Sequence, residues 1–419
     1  MTRRLDSGFL VVLLISLLAV WPFLSRASLP EGTDAELHIF RLHELGYLVR
    51  GGEFYPRWAP NFYHAYGYPI FNYYAPLTYY LALPLELLPT VDATAASKAV
   101  LVGGMLLAGL GLYGFVRDNW GRRAGFVAAA LYVYAPYLQY VDPHIRGALP
   151  EAFSFAAFPL ALWALDRLYR RPAAGPWLAS VALVAAVILS HNLMVLFFYA
   201  LLWAWALWRA GRLGWVPRAL WRAVAAAIGS RGQVPASREA GGASNGVGLT
   251  DEESPRHAPP ATLAPFAALL LGLGLAAFFW LPVLLERNAV NLTTLIGAND
   301  NYDFHTHFVG LGELLAASLR PDWGATQPSF RFNLGVAQWL AGLLGLVTLA
   351  LGLVRRRVEA FFFATMALVV VALMTPLATP LWEAVPFLPY FQFPWRLLGA
   401  AAALLAVLGA AGRGPGLRW

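Results

Sequence analysis

The chain of 419 residues is 59% hydrophobic and only 13% charged, against about 25% charged residues in soluble domains, so it reads as an integral membrane protein. It contains no cysteine, which excludes disulfides, thiolate metal sites and cysteine nucleophiles. The net charge of +7 does not argue for nucleic acid, because the basic residues are spread over short loops between apolar segments, where they act as topology signals.

A hydrocarbon core of about 30 Å takes about 20 helical residues to cross. Runs suited to this lie near 8–25, 95–116, 123–141, 151–166, 176–190, 193–208, 263–285, 335–354, 358–379 and 395–411. The expected fold is therefore an all-α integral membrane protein with about ten transmembrane helices. The first run also fits a signal peptide, with Arg3 and Arg4 before it and Ser25-Arg26-Ala27 after it; in both readings residues 28–94 lie outside. The apolar stretch 76–89 is short and interrupted by Pro84, which suits a surface or re-entrant helix.

The arginines support this arrangement. With the N-terminus inside, the cytoplasmic turns collect Arg117, Arg122 and Arg123, then Arg167, Arg170 and Arg171, then those from Arg209 to Arg256, then Arg355, Arg356 and Arg357, as the positive-inside bias demands. The expected organisation is a first span at 1–25, an outer loop with surface helices at 26–94, spans two to six at 95–210 and a cytoplasmic linker at 211–262. Spans seven to ten then occupy 263–412, with an outer loop at 286–333, and a cytoplasmic tail at 413–419 ends the chain. Within the linker, 229–262 is rich in Gly, Ser, Pro and mixed charge, the composition of disorder.

The polar constellations all fall on the non-cytoplasmic side. In 32–80, Asp34, Glu36, His38, Arg41, His43, Arg57 and His64 are interleaved with aromatic rings. Thr33 followed by Glu36 fits a capping box, which predicts a helix from Asp34 to about Val49, stopped by Gly51-Gly52. On it Asp34, His38 and Arg41 share one face, and Leu37, Phe40, Tyr47 and Leu48 form a neighbouring apolar stripe. The acids also suit the positive end of the helix without further role. The later tyrosines either line a groove or anchor the loop among lipid headgroups.

Downstream, the short loop 140–151 carries Asp142, His144, Arg146 and Glu151, and His191-Asn192 interrupts an apolar run. Ionisable groups at membrane depth are functional suspects, though Arg146 pairing with Glu151 as a clamp, or His191 as a satisfied core group, explains them equally. His305 and His307 lack convincing further ligands for zinc. Arg396, at the start of the last span, suits a lipid phosphate or interfacial snorkelling.

Gly32-Thr33-Asp34 with His38 and Arg41, Tyr55-Pro56-Arg57-Trp58, Gly67-Tyr68-Pro69, Tyr74-Ala75-Pro76-Leu77, Arg146 with Pro150-Glu151, His191-Asn192, Trp280-Leu281-Pro282 and Phe393-Pro394-Trp395-Arg396 resemble the bacterial membrane family labelled "6-pyruvoyl-tetrahydropterin synthase-related". More broadly the chain resembles the C-type (GT-C) glycosyltransferase superfamily, in which one span leads into a large first outer loop bearing an acidic residue. The resemblance implies a plasma-membrane enzyme that transfers a sugar from a polyprenyl-phosphate donor to an acceptor on the outer face. It implies Asp34 as base, with Glu36 or His38 assisting, and Arg57 and Arg396 on the donor phosphate. Arg41, His144, Arg146, Glu151 and His191 complete the expected substrate-binding set. A divalent cation, Mg or Mn, would fall to Asp34 and Glu36. A non-catalytic membrane protein, either a lipid-linked glycan transporter or a scaffold with a degenerate fold, is the competing expectation.

Overall fold

The computed structural model describes residues 6–30, 32–212, 259–291, 301–325, 328–354 and 356–412. The expected linker 211–262, apart from its ends, and the tail 413–419 lie outside the described residues, as does part of the loop 286–333. The described residues contain helices and no strand beyond an isolated bridge between Ala59 and Tyr68.

Helix α1 (Gly8–Leu24) leads into the outer region, where α2 (Ala35–Arg50), two single turns, α3 (Phe62–Ala65) and α4 (Ile70–Tyr73), and α5 (Leu77–Glu86) follow. Helix α6 (Ala93–Trp120) then begins with the Asp92 carboxylate accepting from the Ala95 N–H at 2.7 Å and stops at Gly121, where φ is +97°. Next come α7 (Arg122–Val133), a π-helix (Tyr137–Arg146), α8 (Leu149–Arg170), α9 (Ala174–Ser190) and α10 (Met194–Arg212). The C-terminal part holds α11 (Pro259–Leu275), α12 (Ala277–Leu285), α13 (Leu311–Leu315), α14 (Val336–Ala350), α15 (Arg357–Leu373), α16 (Thr379–Ala384) and α17 (Leu398–Ala411).

By length and composition, three described helices suffice to cross a membrane, at Ala93–Trp120, Met194–Gly211 and Pro394–Ala411. Two bent pairs raise this to five: Leu263–Leu275 with Ala277–Leu285, bent by 63°, and Arg357–Leu373 with Pro376–Ala384, bent by 89°. Helices α1, α9 and α14 are apolar but shorter. The described helices thus give three to five spans by this criterion against the ten expected. The run at 123–141 is broken at Ala135-Pro136 between α7 and the π-helix, since proline supplies no N–H to continue the first helix.

Every residue of α17 is buried. Its Ala- and Gly-rich sequence lets α7, α14 and α15 pack against it closely, which is how helices associate where no water drives them together. A Cβ placed on Gly345 of α14 would stand 2.5 Å from the Leu408 carbonyl oxygen, and one on Gly409 would stand 2.7 Å from Ala341 Cβ.

The first outer helix forms almost where expected. It starts at Ala35, with Gly51 as its C-cap and Gly52 in the left-handed region. The capping box does not form: Asp34 is the N-cap without a side-chain cap bond, and the Thr33 hydroxyl donates to the Arg146 carbonyl at 3.4 Å. Leu37, Phe40 and Tyr47 are exposed as a membrane-facing stripe requires, but Leu48 is buried with Leu42 and Leu45. Helix α5 packs against α2 and α6 and, like α1, α9 and α14, is shorter than the span criterion requires.

Because Gly345 faces a backbone carbonyl while nothing lies within 4 Å of a Cβ at Gly274, Gly345→Ala should destabilise the bundle by about 1–3 kcal/mol. Gly274→Ala should be neutral or stabilising. Thermal melting of the detergent-solubilised protein separates the two.

Candidate active site

The site is built where the segment before α2 meets the end of the π-helix. The backbone N–H of Asp34 donates to the Arg146 carbonyl at 2.7 Å, and that of Thr33 to Ile145 at 3.3 Å. Two glycines permit the approach. A Cβ on Gly32 would lie 2.6 Å from the Arg146 backbone, and one on Gly147, whose φ is +66°, would lie 2.5 Å from Ala35 Cβ. This docking brings Asp34 to the Arg146 guanidinium, 3.4 Å from Nη2.

Arg146 is the hub of a buried network. Its Nη1 donates to Asp142 Oδ1 at 2.6 Å, Glu151 Oε2 at 2.7 Å and the Tyr137 hydroxyl at 3.1 Å. Tyr137 in turn donates to Glu151 Oε1 at 2.7 Å. Arg396 Nε approaches Glu151 Oε2 at 3.2 Å, and its Nη1 donates to the Phe391 carbonyl. Trp395 lies under Arg146, 5.0 Å from ring centroid to guanidinium, and stacks on Phe332 and Phe393. Asp142 and Glu151 are fully buried, so these cations and hydroxyls are what make two carboxylates tolerable away from water.

His191 stands at the break between α9 and α10. Its Nδ1 accepts from the backbone N–H groups of Leu193 and Met194, at 3.2 and 3.1 Å, capping α10. An accepting Nδ1 places the proton on Nε2, which lies 3.8 Å from Glu151 Oε2. The neighbouring Asn192 holds the outer loop: its Oδ1 accepts from the Ala75 N–H and its Nδ2 donates to the Tyr73 carbonyl.

The clamp sets Tyr74 beside α2. Arg41 lies over the Tyr74 ring at 4.3 Å and donates to the Tyr79 hydroxyl at 3.4 Å, while that hydroxyl is 2.7 Å from His38 Nδ1. Burial pushes the His38 imidazole well below its ordinary value, and the Arg41 charge adds to this. Burial raises the Tyr74 hydroxyl above the usual phenol range; Arg41 draws it back, and the charges of Asp34 and Arg396 also reach it. Among the described residues Arg41 has no carboxylate within ion-pairing distance.

Three solved structures of an oligosaccharyltransferase from Archaeoglobus fulgidus share this arrangement of helices. The complex with Zn and sulfate has a TM-score of 0.53 at 15% identity, covering 97% of this chain and 48% of that one. The form tethered to an acceptor peptide containing an NVT sequon has a TM-score of 0.51 at 15% identity, over 97% and 49% of the two chains. The complex of AglB with an inhibitory peptide and a dolichol-phosphate has a TM-score of 0.50 at 15% identity, over the same shares. The likeness is one of fold. The chain spans about half the length of these structures. No protein-family model and no curated protein matches the chain.

The remaining expected site residues are placed differently. Glu36 is exposed and two positions from both Asp34 and His38, which turns it about 200° away from their face. Arg57 pairs with Glu286 at 3.0 Å, and Asn72 and Tyr73 also bind Glu286, which ties it to the end of α12 and not to Asp34. His144 lies in an aromatic box, stacked on Tyr140 at 5.0 Å and edge-on to Trp323 at 4.9 Å, not beside Arg146 and Glu151. The expected cation pair does not fit either. Asp34 is held by Arg146, Glu36 faces elsewhere, and among the described residues no group of three His, Cys, Asp or Glu could hold a metal ion.

Tyr137 was not singled out from sequence, and Asp142, Asn192 and Glu286, though noted in polar segments, were given no site role. Asp142 four positions before Arg146 was a readable signal, because helical spacing pairs such residues. Tyr137 meets Arg146 and Glu151, 9 and 14 residues on, at spacings that an ordinary α-helix reading does not flag, and Glu286 carries no local signal of its long-range partners.

At the outer surface His305 is held between Asp303, 2.6 Å from Nδ1, and Glu383 of α16, 3.2 Å from Nε2. His307 instead contacts the Asn301 carbonyl, so the two histidines do not converge on a metal. The Asp303 hydrogen bond raises the His305 value, and although burial pulls Asp303 upward, its bonds from His305 hold it below the ordinary carboxylate range.

Arg146→Ala should destabilise the protein by about 3–5 kcal/mol, the cost of leaving buried carboxylates without their cation. Tyr137→Phe should cost about 1–3 kcal/mol through loss of one donor to Glu151; both are read by thermal melting. The loop clamp should depend on pH. His305, raised in the fold, contributes fully below about 6.5 and loses its contribution as pH rises through the raised value. Asp303, lowered, contributes above about 3.9 and loses its contribution as pH falls through the lowered value. Protection factors of the amides in 303–310, which remove the intrinsic pH dependence of exchange, should therefore be highest between these limits and fall on either side, and His305→Gln should remove the alkaline fall.

Proposed function

We propose that the chain is a membrane glycosyltransferase that moves a sugar from a polyprenyl-phosphate donor to a hydroxyl acceptor at the outer face of the plasma membrane. The observation that carries this reading is Asp34. Its carboxylate is partly exposed, at 38% of the side chain, and held by Arg146, which shares the Glu151 carboxylate with Arg396. The fold shared with a solved oligosaccharyltransferase captured with dolichol-phosphate supports a lipid-linked donor.

In this mechanism the Asp34 carboxylate accepts the proton of the acceptor hydroxyl as its oxygen bonds to the anomeric carbon. The bond from that carbon to the phosphate oxygen breaks, and its electron pair leaves on the polyprenyl phosphate. Arg41, with no acidic partner among the described residues, and Arg396 meet the charge that develops there. Arg146, Glu151 and Tyr137 position Asp34, and the neutral, buried His38 holds Tyr79 under Arg41. No step is assigned to Glu36, Arg57 or His144, which point elsewhere, or to a metal.

The topology belongs to the same proposal, with ten crossings, the linker 211–262 and the tail 413–419 in the cytoplasm, and the loops 26–94 and 286–333 outside. The opposed ends of α8 support it. Glu151 stands near its first turn, and Arg167 and Arg170 in its last.

In a transfer assay with polyprenyl-phosphate sugars, Asp34→Asn should lower the rate by about 10²-fold or more, and Arg41→Gln should also slow transfer. Full transfer by Asp34→Asn would remove Asp34 as the base, while absence of transfer by the unaltered protein with every donor would favour the non-catalytic alternative. For topology, a cysteine replacing the exposed Tyr66 should react with an impermeant reagent on intact cells, and one replacing Ala173 should not.

A further inference from the structure

The end of the bundle remote from Asp34 carries a second ionic network, which the proposed reaction does not use. Helix α8 has 22 residues and is about 33 Å long, with Glu151 at one end and Asp166 near the other. Asp166 is fully buried and binds Arg170 at 2.6 Å, the Asn119 side-chain amide at 3.0 Å and Arg209 at 3.6 Å. Arg209 continues to Glu359 at 3.4 Å, which Arg356 approaches at 3.8 Å. Four helix regions, α6, α8, α10 and the start of α15, meet here.

The charges in this network do not cancel. Among the described residues, Arg170, Arg209 and Arg356 gather around Asp166 and Glu359. Arg170 Nη2 and Arg356 Nη1 converge on one neutral oxygen, Asn119 Oδ1, at 2.5 and 3.2 Å, so two guanidinium groups are held together by an acceptor without charge. Arg356 is also a non-glycine residue with φ +61°, a left-handed conformation that a side chain adopts at a cost. Burial, and after it the Arg170 charge, lower the Arg356 value. Arg356 remains 37% exposed and Arg170 25%, so both can be reached from outside the bundle. One turn before Arg170, Arg167 is 46% exposed, and its nearest acid, Asp118, is 4.0 Å away.

We propose that Arg356, with Arg167 at the rim and the charge of Arg170 behind them, binds a phosphate group at this end of the bundle, supplied by an anionic lipid headgroup or by soluble phosphate; Arg170 itself spends Nε and Nη2 on Asp166 and Nη1 on the Asp118 carbonyl. A phosphate offers several acceptor oxygens and negative charge to guanidinium groups whose planar forks match it. It would offset the surplus cation, and it accounts for Arg356 being held in a strained conformation beside another arginine. In the proposed topology this end faces the cytoplasm, where anionic headgroups attract basic side chains.

The test titrates the full-length protein in detergent, followed by native mass spectrometry, with phosphatidylglycerol, with phosphatidylcholine and with inorganic phosphate. Arg356→Asn removes the charge while asparagine tolerates the left-handed backbone, and it should weaken phosphatidylglycerol binding about five-fold, the worth of one basic side chain at an anionic surface. Arg167→Gln, an exposed position that leaves the buried network intact, should weaken it less, and Arg331→Gln in the outer loop should not weaken it. Preference for phosphatidylglycerol over phosphatidylcholine that Arg356→Asn weakens, without binding of inorganic phosphate, assigns the site to a lipid headgroup. Binding of inorganic phosphate that Arg356→Asn abolishes assigns it to a soluble phosphate. Equal binding by the unaltered protein, Arg356→Asn and Arg167→Gln overturns the proposal.

Discussion

The outer end of this protein depends on one guanidinium. Arg146 satisfies Asp142 and Glu151, both fully buried, and reaches Asp34 with its other nitrogen. Buried carboxylates are tolerated only with their cation in place, so the π-helix, α8 and the entry to α2 have to meet where Arg146 lies. The glycines at 32 and 147 make that meeting possible, because a side chain at either would collide with backbone or Ala35.

From this anchor the site extends by contacts that are individually modest. Asn192 holds the loop at Tyr73 and Ala75, which sets Tyr74 under Arg41. Glu286 gathers Arg57, Asn72 and Tyr73, joining the first outer loop to the end of α12. Trp395 carries Arg146 on its face and stacks on Phe332 and Phe393. The aromatic residues of this region therefore play two parts. Some hold cations in place, whereas Phe54, Tyr63 and Tyr66 stay exposed, as rings anchoring a loop in a headgroup layer would.

The same economy of charge governs the other end of the bundle. The arginines there read from sequence as topology signals, which is only part of their role. Asp166 and Glu359 draw Arg170, Arg209 and Arg356 into the helix ends. Positive charge that biases orientation also binds buried acids and leaves a surplus at the surface.

The sequence by itself determined the class of molecule, the helix of the first outer loop and the segments that hold the site, because apolar length, helix stops and clustered charge are local properties. It also brought Asp34, Arg146, Glu151, His191 and Arg396 forward as candidates, since ionisable residues stand out in an apolar chain. Only the tertiary structure decided which of them meet. Glu36 turned outward, Arg57 went to Glu286, and His144 entered an aromatic box, while Asp142 and Tyr137 joined the network. The meetings of Asp34 with Arg146 and of Arg57 with Glu286 depend on close approach between segments more than a hundred residues apart. Hydrophobic periodicity carries no record of such distances.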